Sequence, residues 1–258
     1  MLRRVLATRY VTPLREGGSM PALVEASDDG MYVVKFRGAG QGPRVLVAEL
    51  LAGEVARRLG LRVPELVLVD IDAALARNEP DYEIRALTNK SVGLNLGLDY
   101  LPGSLAWDPA AEPAISPEFA SRVVWLDAYV ANIDRTARNT NMLTWHGDTW
   151  LIDHGAAFYF QYAQSDFRAA AQSPFAAVRQ HVLLRHASRL AETDADARHL
   201  LDATFLAGIA AAIPGEWLDK PAESHAAQRQ AFTEYLVERL ATSSRFVEEA
   251  ERARTDLV

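Results

Sequence analysis

One hairpin predicted near the middle of the sequence constrains the fold more than any other feature. Two short apolar segments, residues 142–145 and 149–152, flank a three-residue loop at 146–148, a spacing typical of paired antiparallel strands. In that register Asn141 faces Asp153, and directly opposed residues lie roughly 4.5–5.5 Å apart. We therefore expect oxygen-bearing side chains to converge at the open end of the hairpin.

Two more polar side chains lie on the loop that leads into this hairpin. Asp134 and Asn139, five residues apart, follow a helix predicted over residues 116–132, which opens with Ser, Pro and Glu. With Asn141 and Asp153 they supply carboxylate and amide oxygens, and such a hard-oxygen set suits Mg²⁺. Asp and Asn are also ordinary turn residues, so the residue types alone leave a purely structural hairpin open.

A single lysine stands in an apolar segment of the first third of the chain. Lys35 lies within residues 31–36, which predict a strand, and a lysine buried there without a partner would cost free energy. The helix predicted over residues 45–59 offers Glu49 and Glu54 as partners. The alternative is that Lys35 lies on an edge strand and faces water.

The composition restricts the class of function. The 258 residues include no cysteine, which excludes disulfide frameworks, thiolate metal sites and cysteine nucleophiles. A net charge of −7 without a dense Lys/Arg cluster argues against nucleic-acid binding. No apolar run approaches the roughly 18 residues that cross a bilayer, so we expect a soluble, cytoplasmic protein without a membrane partner.

The catalytic loops of kinases share the order and spacing of these polar residues. Asp134-Arg135, then Asn139, then Asp153-His154-Gly155 beyond a hairpin resemble the catalytic loop and metal-binding motif of kinases. The version here is similar to the HipA-like kinases and, more distantly, to the phosphoinositide lipid kinases, whose loops read Asp-Arg-His. This chain departs from the latter pattern because it has Thr136 in place of that His.

The resemblance implies a fold and an activity. The expected fold is α+β and two-lobed, with a small β-rich N-lobe over residues 1–103 and a mainly helical C-lobe over residues 104–258. The implied activity is transfer of the γ-phosphate of ATP, with Mg²⁺, to the hydroxyl group of an unidentified acceptor, with protein Ser or Thr as the expected class. The segment at 89–103 is expected to form a loop or hinge, and helices are predicted over residues 174–190, 195–212 and 224–253.

The resemblance also implies roles for individual residues. Asp134 would act as the general base, with Asn139 as the second catalytic residue. Asn139 and Asp153 would hold Mg²⁺, with Asn141 as support. Lys35 would hold the phosphates of ATP and would be oriented by Glu49. The backbone of Gly17, Gly18 and Ser19 would cover the phosphates, while Asp127 would tie the helix to the loop.

Three alternative functions stay open at this point. The same fold can serve as a catalytically silent nucleotide-binding regulatory module, or as a kinase of small molecules or lipids. A structural protein that binds a partner through its Ala-rich C-terminal helices would bind no nucleotide. Binding of ATP that depends on Mg²⁺ separates the kinase readings from the last one.

Overall fold

The computed structural model of the chain describes residues 2–14, 20–77, 79–111, 115–162, 167–219 and 221–257. Contacts between Cα atoms divide the chain into two compact units. Unit 1 holds Met1–Leu50, Pro64–Gly103 and Ala212–His225, and unit 2 holds Leu51–Val63, Ser104–Ala211 and Ala226–Val258. The single boundary at residue 103 between an N-lobe and a C-lobe stays a prediction.

Unit 1 is built around a small β-barrel. Its strands are β1 (Arg3–Pro13), β2 (Ala22–Ala26), β3 (Met31–Lys35), β4 (Leu66–Ile71) and β5 (Gly93–Asp99). Among the described residues they form a closed barrel in the order β1-β2-β3-β5-β4. β1 closes the barrel by pairing in parallel with β4, and the other four pairs are antiparallel. The strands predicted over residues 3–11, 22–26 and 31–36 are confirmed, with small shifts at their ends.

Branched apolar side chains fill this barrel. Alternate residues of a strand point to opposite faces, and accordingly Val5 and Ala7 of β1 and Tyr32 and Val34 of β3 are buried. The buried cluster includes valines from four of the strands, namely Val5, Val24, Val34, Val67 and Val69. Burial of these β-branched side chains supplies the main free-energy gain of the barrel.

The prediction that residues 89–103 form a loop or hinge is wrong, because β5 is a central strand between β3 and β4. Its glycines suggested a turn, but Gly97 has a packing role. A Cβ atom there would lie 2.6 Å from Cγ2 of Val69 and 2.9 Å from Cγ2 of Val67. Only glycine allows the neighbouring strand to approach so closely.

Helices and one late segment of the chain complete unit 1. Helix α1 (Arg44–Arg58) begins in this unit, and α2 (Tyr82–Lys90) starts at Asp81, whose side chain accepts hydrogen bonds from two backbone N–H groups. The segment Ala212–His225 also belongs to unit 1. There Nε1 of Trp217 donates a 2.8 Å hydrogen bond to the carbonyl of Leu94 at the start of β5.

Unit 2 contains the helix that leads to the candidate site. Helix α3 (Pro117–Tyr129) begins where predicted, since the side chain of Ser116 accepts a hydrogen bond from the N–H of Phe119 at 3.1 Å. It ends three residues earlier than predicted. The buried Arg239 side chain donates to the carbonyls of Ala128 and Tyr129, two of the acceptors at the helix end.

A three-stranded sheet combines one strand that precedes α3 with the hairpin that follows it, and the hairpin register differs from the prediction. The strands are β6 (Leu105–Ala106), β7 (Met142–Trp145) and β8 (Asp148–Leu151). The turn has two residues, His146 and Gly147, both with positive φ (50° and 83°), and Trp145 pairs with Asp148. The three-residue loop is therefore wrong by one position, and the backbone of Asn141 bonds to Ile152 rather than lying opposite Asp153.

The C-terminal part of the chain is helical but more broken than predicted. The helices of unit 2 after the hairpin are α4 (Phe167–Ala171), α5 (Leu190–Leu200), α6 (Ala203–Ala211), α7 (His225–Ala241) and α8 (Ser244–Thr255). Most of the helix predicted over residues 174–190 is instead short 3₁₀ turns and loop. The helix predicted over 195–212 breaks at Asp202, whose side chain accepts from the N–H of Phe205. Within the described residues, none of the helices has the length and apolar character that a membrane span needs.

Candidate active site

Lys35 and Glu49 form a buried ion pair in unit 1. Nζ of Lys35 lies 2.6 Å from Oε2 of Glu49, and their side chains are 8% and 0% exposed. Because β3 lies between β2 and β5, the edge-strand alternative for Lys35 is wrong. Glu54, the other predicted partner, lies 3.7 Å from Arg57 instead. The interior of unit 1 therefore contains a cation whose position is fixed by a carboxylate.

Asp134, Asn139 and Asn141 come together in unit 2. Oδ2 of Asp134 accepts hydrogen bonds from Nδ2 of Asn139 at 2.8 Å and from Nδ2 of Asn141 at 3.5 Å. A tight turn returns Asn139 to Asp134, because the backbones of Thr136 and Asn139 bond to each other in both directions. The amide nitrogens face Asp134, which leaves the amide oxygens to act as acceptors or ligands.

Asp153 follows β8 and lies near enough to Asp134 to influence the pKa of that carboxyl group. Burial raises the pKa of Asp134 above its ordinary value, and the like charge of Asp153 raises it further, while hydrogen bonds from the two asparagines act in the opposite direction. Asp153 itself has a left-handed backbone, with φ of 54°. Non-glycine residues adopt this conformation at a cost, which is typical of functional positions.

The atoms at this point of unit 2 that could bind a metal ion are all oxygens. Asp134 and Asp153 contribute carboxylates, and Asn139 and Asn141 contribute amide oxygens. In the part of the chain that the structure describes, no group of three or more His, Cys, Asp or Glu side chains could hold a metal. Two carboxylates with amides fit Mg²⁺, which completes its shell with water and phosphate oxygens.

Asp127 is the buried anchor of the loop between α3 and the hairpin. Its carboxylate accepts from Nδ2 of Asn132 at 2.9 Å and from Nε of Arg135 at 2.5 Å. Burial alone would raise the pKa of Asp127, but the charge of Arg135 and the contact with His181 outweigh it and hold the pKa far below its usual range. The sequence predicts that Asp127 links the helix to the loop. Its hydrogen bonds to Asn132 and Arg135 make this link.

His181 is a member of this network that the sequence did not single out. Its Nε2 lies 2.9 Å from Oδ2 of Asp127, and its side chain is 4% exposed. No local pattern marks it, because the contact joins residues far apart in the chain. A lone buried histidine is found by its neighbours in space rather than by its neighbours in sequence.

The glycine segment predicted to cover phosphates, Gly17, Gly18 and Ser19, lies outside the described residues. A second glycine-containing segment, at residues 38–42, forms turns after β3. There the N–H of Gly38 donates to Oγ of Ser91 at 3.2 Å. Because the N–H of Gly38 already has an acceptor within unit 1, it is not available for a phosphate.

Comparison with known proteins identifies the family. A family model described as HipA-like kinase matches residues 8–249. The chain belongs to the HipA-like kinase family, as the motif at residues 134–155 predicts. The family to which the chain belongs is therefore a family of kinases.

A solved structure supports the fold. The chain is similar to the crystal structure of a proinflammatory kinase, CtkA, from Helicobacter pylori, with a TM-score of 0.53 over 98% of this chain and 99% of that chain. The sequence identity is 14%, so this likeness concerns the mixed α/β fold alone. No curated protein matches the chain.

Proposed function

We propose that this protein is an ATP-dependent kinase that transfers the γ-phosphate to a hydroxyl group. The observation that carries the proposal is the arrangement of Asp134, which is hydrogen-bonded by Asn139 and Asn141 and lies within electrostatic reach of Asp153. Phosphoryl transfer needs one carboxylate at the attacking hydroxyl and oxygen ligands for a metal on the phosphates. Membership of the HipA-like kinase family supports the same reading.

In this proposal Asp134 orients the acceptor hydroxyl and takes its proton. Its raised pKa makes the carboxylate a stronger base than an ordinary aspartate. Asn139 holds Oδ2 of Asp134 through its amide nitrogen, at 2.8 Å. One oxygen of Asp134 is thereby fixed, and the other is left for the hydroxyl.

Asn139 and Asp153 are the proposed ligands of Mg²⁺, with Asn141 as support. Bound Mg²⁺ supplies neutralisation of charge on the phosphates during transfer. Asn139 would use its amide oxygen, because its nitrogen already donates to Asp134. In unit 1, Lys35 would hold the phosphates of ATP as a point charge, and Glu49 keeps its ammonium group in place.

The acceptor class and the two-lobed arrangement rest on the family resemblance, whereas the location and the division at residue 103 rest on sequence composition. The acceptor proposed is a protein serine or threonine, the location cytoplasmic, and the arrangement two-lobed with a division at residue 103. Each goes beyond the shared kinase family and the shared fold.

The experiment that tests the proposal is calorimetric titration of the full chain with ATP, with and without Mg²⁺. We expect micromolar binding that needs Mg²⁺, and its loss in Asp153→Asn, since Asp153 supplies the one carboxylate among the proposed ligands and an amide carries no charge. The matched control is Asp148→Asn, the same change at the other end of β8. Asp148 pairs with Arg62 at 2.9 Å and is 47% exposed.

Two results would contradict the proposal. Absence of ATP binding to the wild type in both conditions removes the kinase reading. Equal loss of binding in Asp148→Asn and Asp153→Asn means that the hairpin as a whole, and not the carboxylate of Asp153, supports the nucleotide. If binding behaves as expected, transfer of labelled γ-phosphate onto candidate proteins, followed by phosphoamino-acid analysis, identifies the acceptor class.

A further inference from the structure

The orientation of the His181 ring is fixed by hydrogen bonds at both of its nitrogens. Nδ1 accepts from the backbone N–H of Leu183 at 3.0 Å, and Nε2 lies 2.9 Å from Oδ2 of Asp127. Because Nδ1 is an acceptor, the hydrogen-bond network assigns the ring proton to Nε2, which donates to the carboxylate. His181 therefore presents a directed donor to Asp127.

Asp127 carries this constraint to both ends of the loop that holds Asp134. At the start of the loop it binds Asn132, whose Oδ1 accepts from the N–H of Asp134 at 3.2 Å. It also binds Arg135, which directly follows Asp134 and whose guanidinium donates to the backbone carbonyl of Asn141 at the end of the loop. One buried carboxylate thus connects the proposed base with the asparagine beside it.

The backbone around His181 contacts the same loop. The N–H of Val182 donates to the carbonyl of Arg135 at 3.1 Å, and residues 136 and 181 form an isolated antiparallel bridge. The segment that carries His181 is therefore bonded to the two residues that follow Asp134. Side chain and backbone together link this segment to the loop at 132–141.

We propose that His181 is a positioning residue, which holds the loop at 132–141 in place for phosphoryl transfer by orienting the carboxylate of Asp127. The inference rests on the proposed function, because it assigns His181 to the same reaction. Groups that orient metal-binding residues from behind are typically worth about 10- to 100-fold in activity, and the loop at 132–141 carries two of the proposed ligands. The role needs the donor at Nε2 and not merely a side chain that fills the space.

Two substitutions separate the two hydrogen bonds of the ring. His181→Gln places an amide nitrogen near the position of Nε2 and keeps a donor to Asp127. His181→Asn places an amide oxygen near the position of Nδ1, which keeps the contact with the N–H of Leu183 but cannot reach Asp127. The matched control is His186→Asn, the same change on the same segment at an exposed position.

Two readouts are measured on each full-length variant. The first is hydrogen–deuterium exchange of peptides that cover residues 132–141, and the second is the rate at which ATP with Mg²⁺ is converted to ADP, with water as the acceptor of the γ-phosphate. We expect His181→Asn to speed exchange of this loop and to lower kcat about 10- to 100-fold, with the KM for ATP changed less than about two-fold. His181→Gln and His186→Asn should stay close to the wild type in both.

The outcomes distinguish this inference from the proposed function. If the His181→Gln and His181→Asn variants show equal exchange in the loop, His181 does not hold the loop through Asp127, and the inference is overturned. Faster exchange in His181→Asn with an unchanged kcat also overturns it, since the loop would then not need this support for transfer. If the wild type neither binds ATP nor releases ADP, the proposed function fails, while unequal exchange in the Asn and Gln variants still shows that His181 holds the loop.

Discussion

Nζ of Lys35 and Oε2 of Glu49 lie 2.6 Å apart in a part of unit 1 where neither side chain is open to water. A buried pair of this kind contributes little net stability compared with apolar residues, but removal of one partner leaves a charge without compensation. Net stability alone therefore does not account for the pair, and the proposed binding of phosphates by Lys35 would give it a use.

The first prediction concerns this pair. Lys35→Met should lower the free energy of unfolding by about 3–5 kcal/mol, because Glu49 is left as a buried charge. The double variant Lys35→Met/Glu49→Met should lose less than either single variant. Urea unfolding of the wild type, both single variants and the double variant measures the cycle. Additive losses would contradict a direct coupling of the two charges.

The second prediction separates binding from transfer at Asp134. Asp134→Ala should bind ATP with Mg²⁺ nearly as the wild type does, because Asn139 and Asp153 remain. Transfer should fall by about 10²–10⁴, the usual contribution of a general base. Calorimetry measures the first quantity and transfer of labelled γ-phosphate the second. Full transfer by Asp134→Ala would rule out the assignment of the base.

The third prediction follows from the lowered pKa of Asp127. A carboxylate whose pKa is lower in the folded state contributes stability that is complete above its unfolded pKa, about 3.9, and is lost as the pH falls toward the folded value. At neutral pH, Asp127→Asn should be strongly destabilised, because Arg135 keeps its buried charge. Protonated Asp127 resembles Asn, so the difference should shrink by about 1.4 kcal/mol per pH unit below about pH 4.

Urea unfolding at several pH values between 7 and 3 tests this dependence. The control is Asp196→Asn on the exposed face of α5, which should differ little from the wild type at any of these pH values. A difference between wild type and Asp127→Asn that stays constant over the acid range would show that the charge of Asp127 is not what stabilises the loop.

The fourth prediction concerns the packing of β5 against β4. Gly97→Ala should cost about 1–3 kcal/mol, because the new methyl group would overlap with Val67 and Val69. Gly40→Ala is the control, since a Cβ atom there would meet no other atom within 4 Å. Thermal unfolding followed by circular dichroism compares the two, and equal midpoints would mean that the barrel relaxes around the added group.

Sequence reasoning succeeded where the relevant pattern is local. The alternation around Lys35 and the helical spacing around Glu49 place both residues on their elements, and the pair follows once the strand is buried. The cap at Ser116 likewise marks the start of α3 from its own residue types. Such features depend on the period and capping chemistry of short segments, which the sequence carries directly.

The failures share a different cause. The predicted hairpin register is wrong by one residue because His146 takes a positive φ. This conformation allows a two-residue turn, and the residue type of His146 does not indicate it. The loop predicted in place of β5 is wrong because the packing reason for Gly97 lies on the neighbouring strand. His181 was missed because its partner, Asp127, is distant in the chain. Each depends on tertiary contacts that no window of sequence contains.

The hydrogen bond from Trp217 to the carbonyl of Leu94 has a consequence for synthesis of the protein on the ribosome. The strands of the barrel emerge first, yet β1 must wait for β4 before the barrel closes, and the start of β5 receives Trp217 only after most of the chain has been translated. Contacts so distant in sequence form slowly and late. We therefore expect the nascent barrel to be vulnerable to proteases until the segment Ala212–His225 leaves the ribosome.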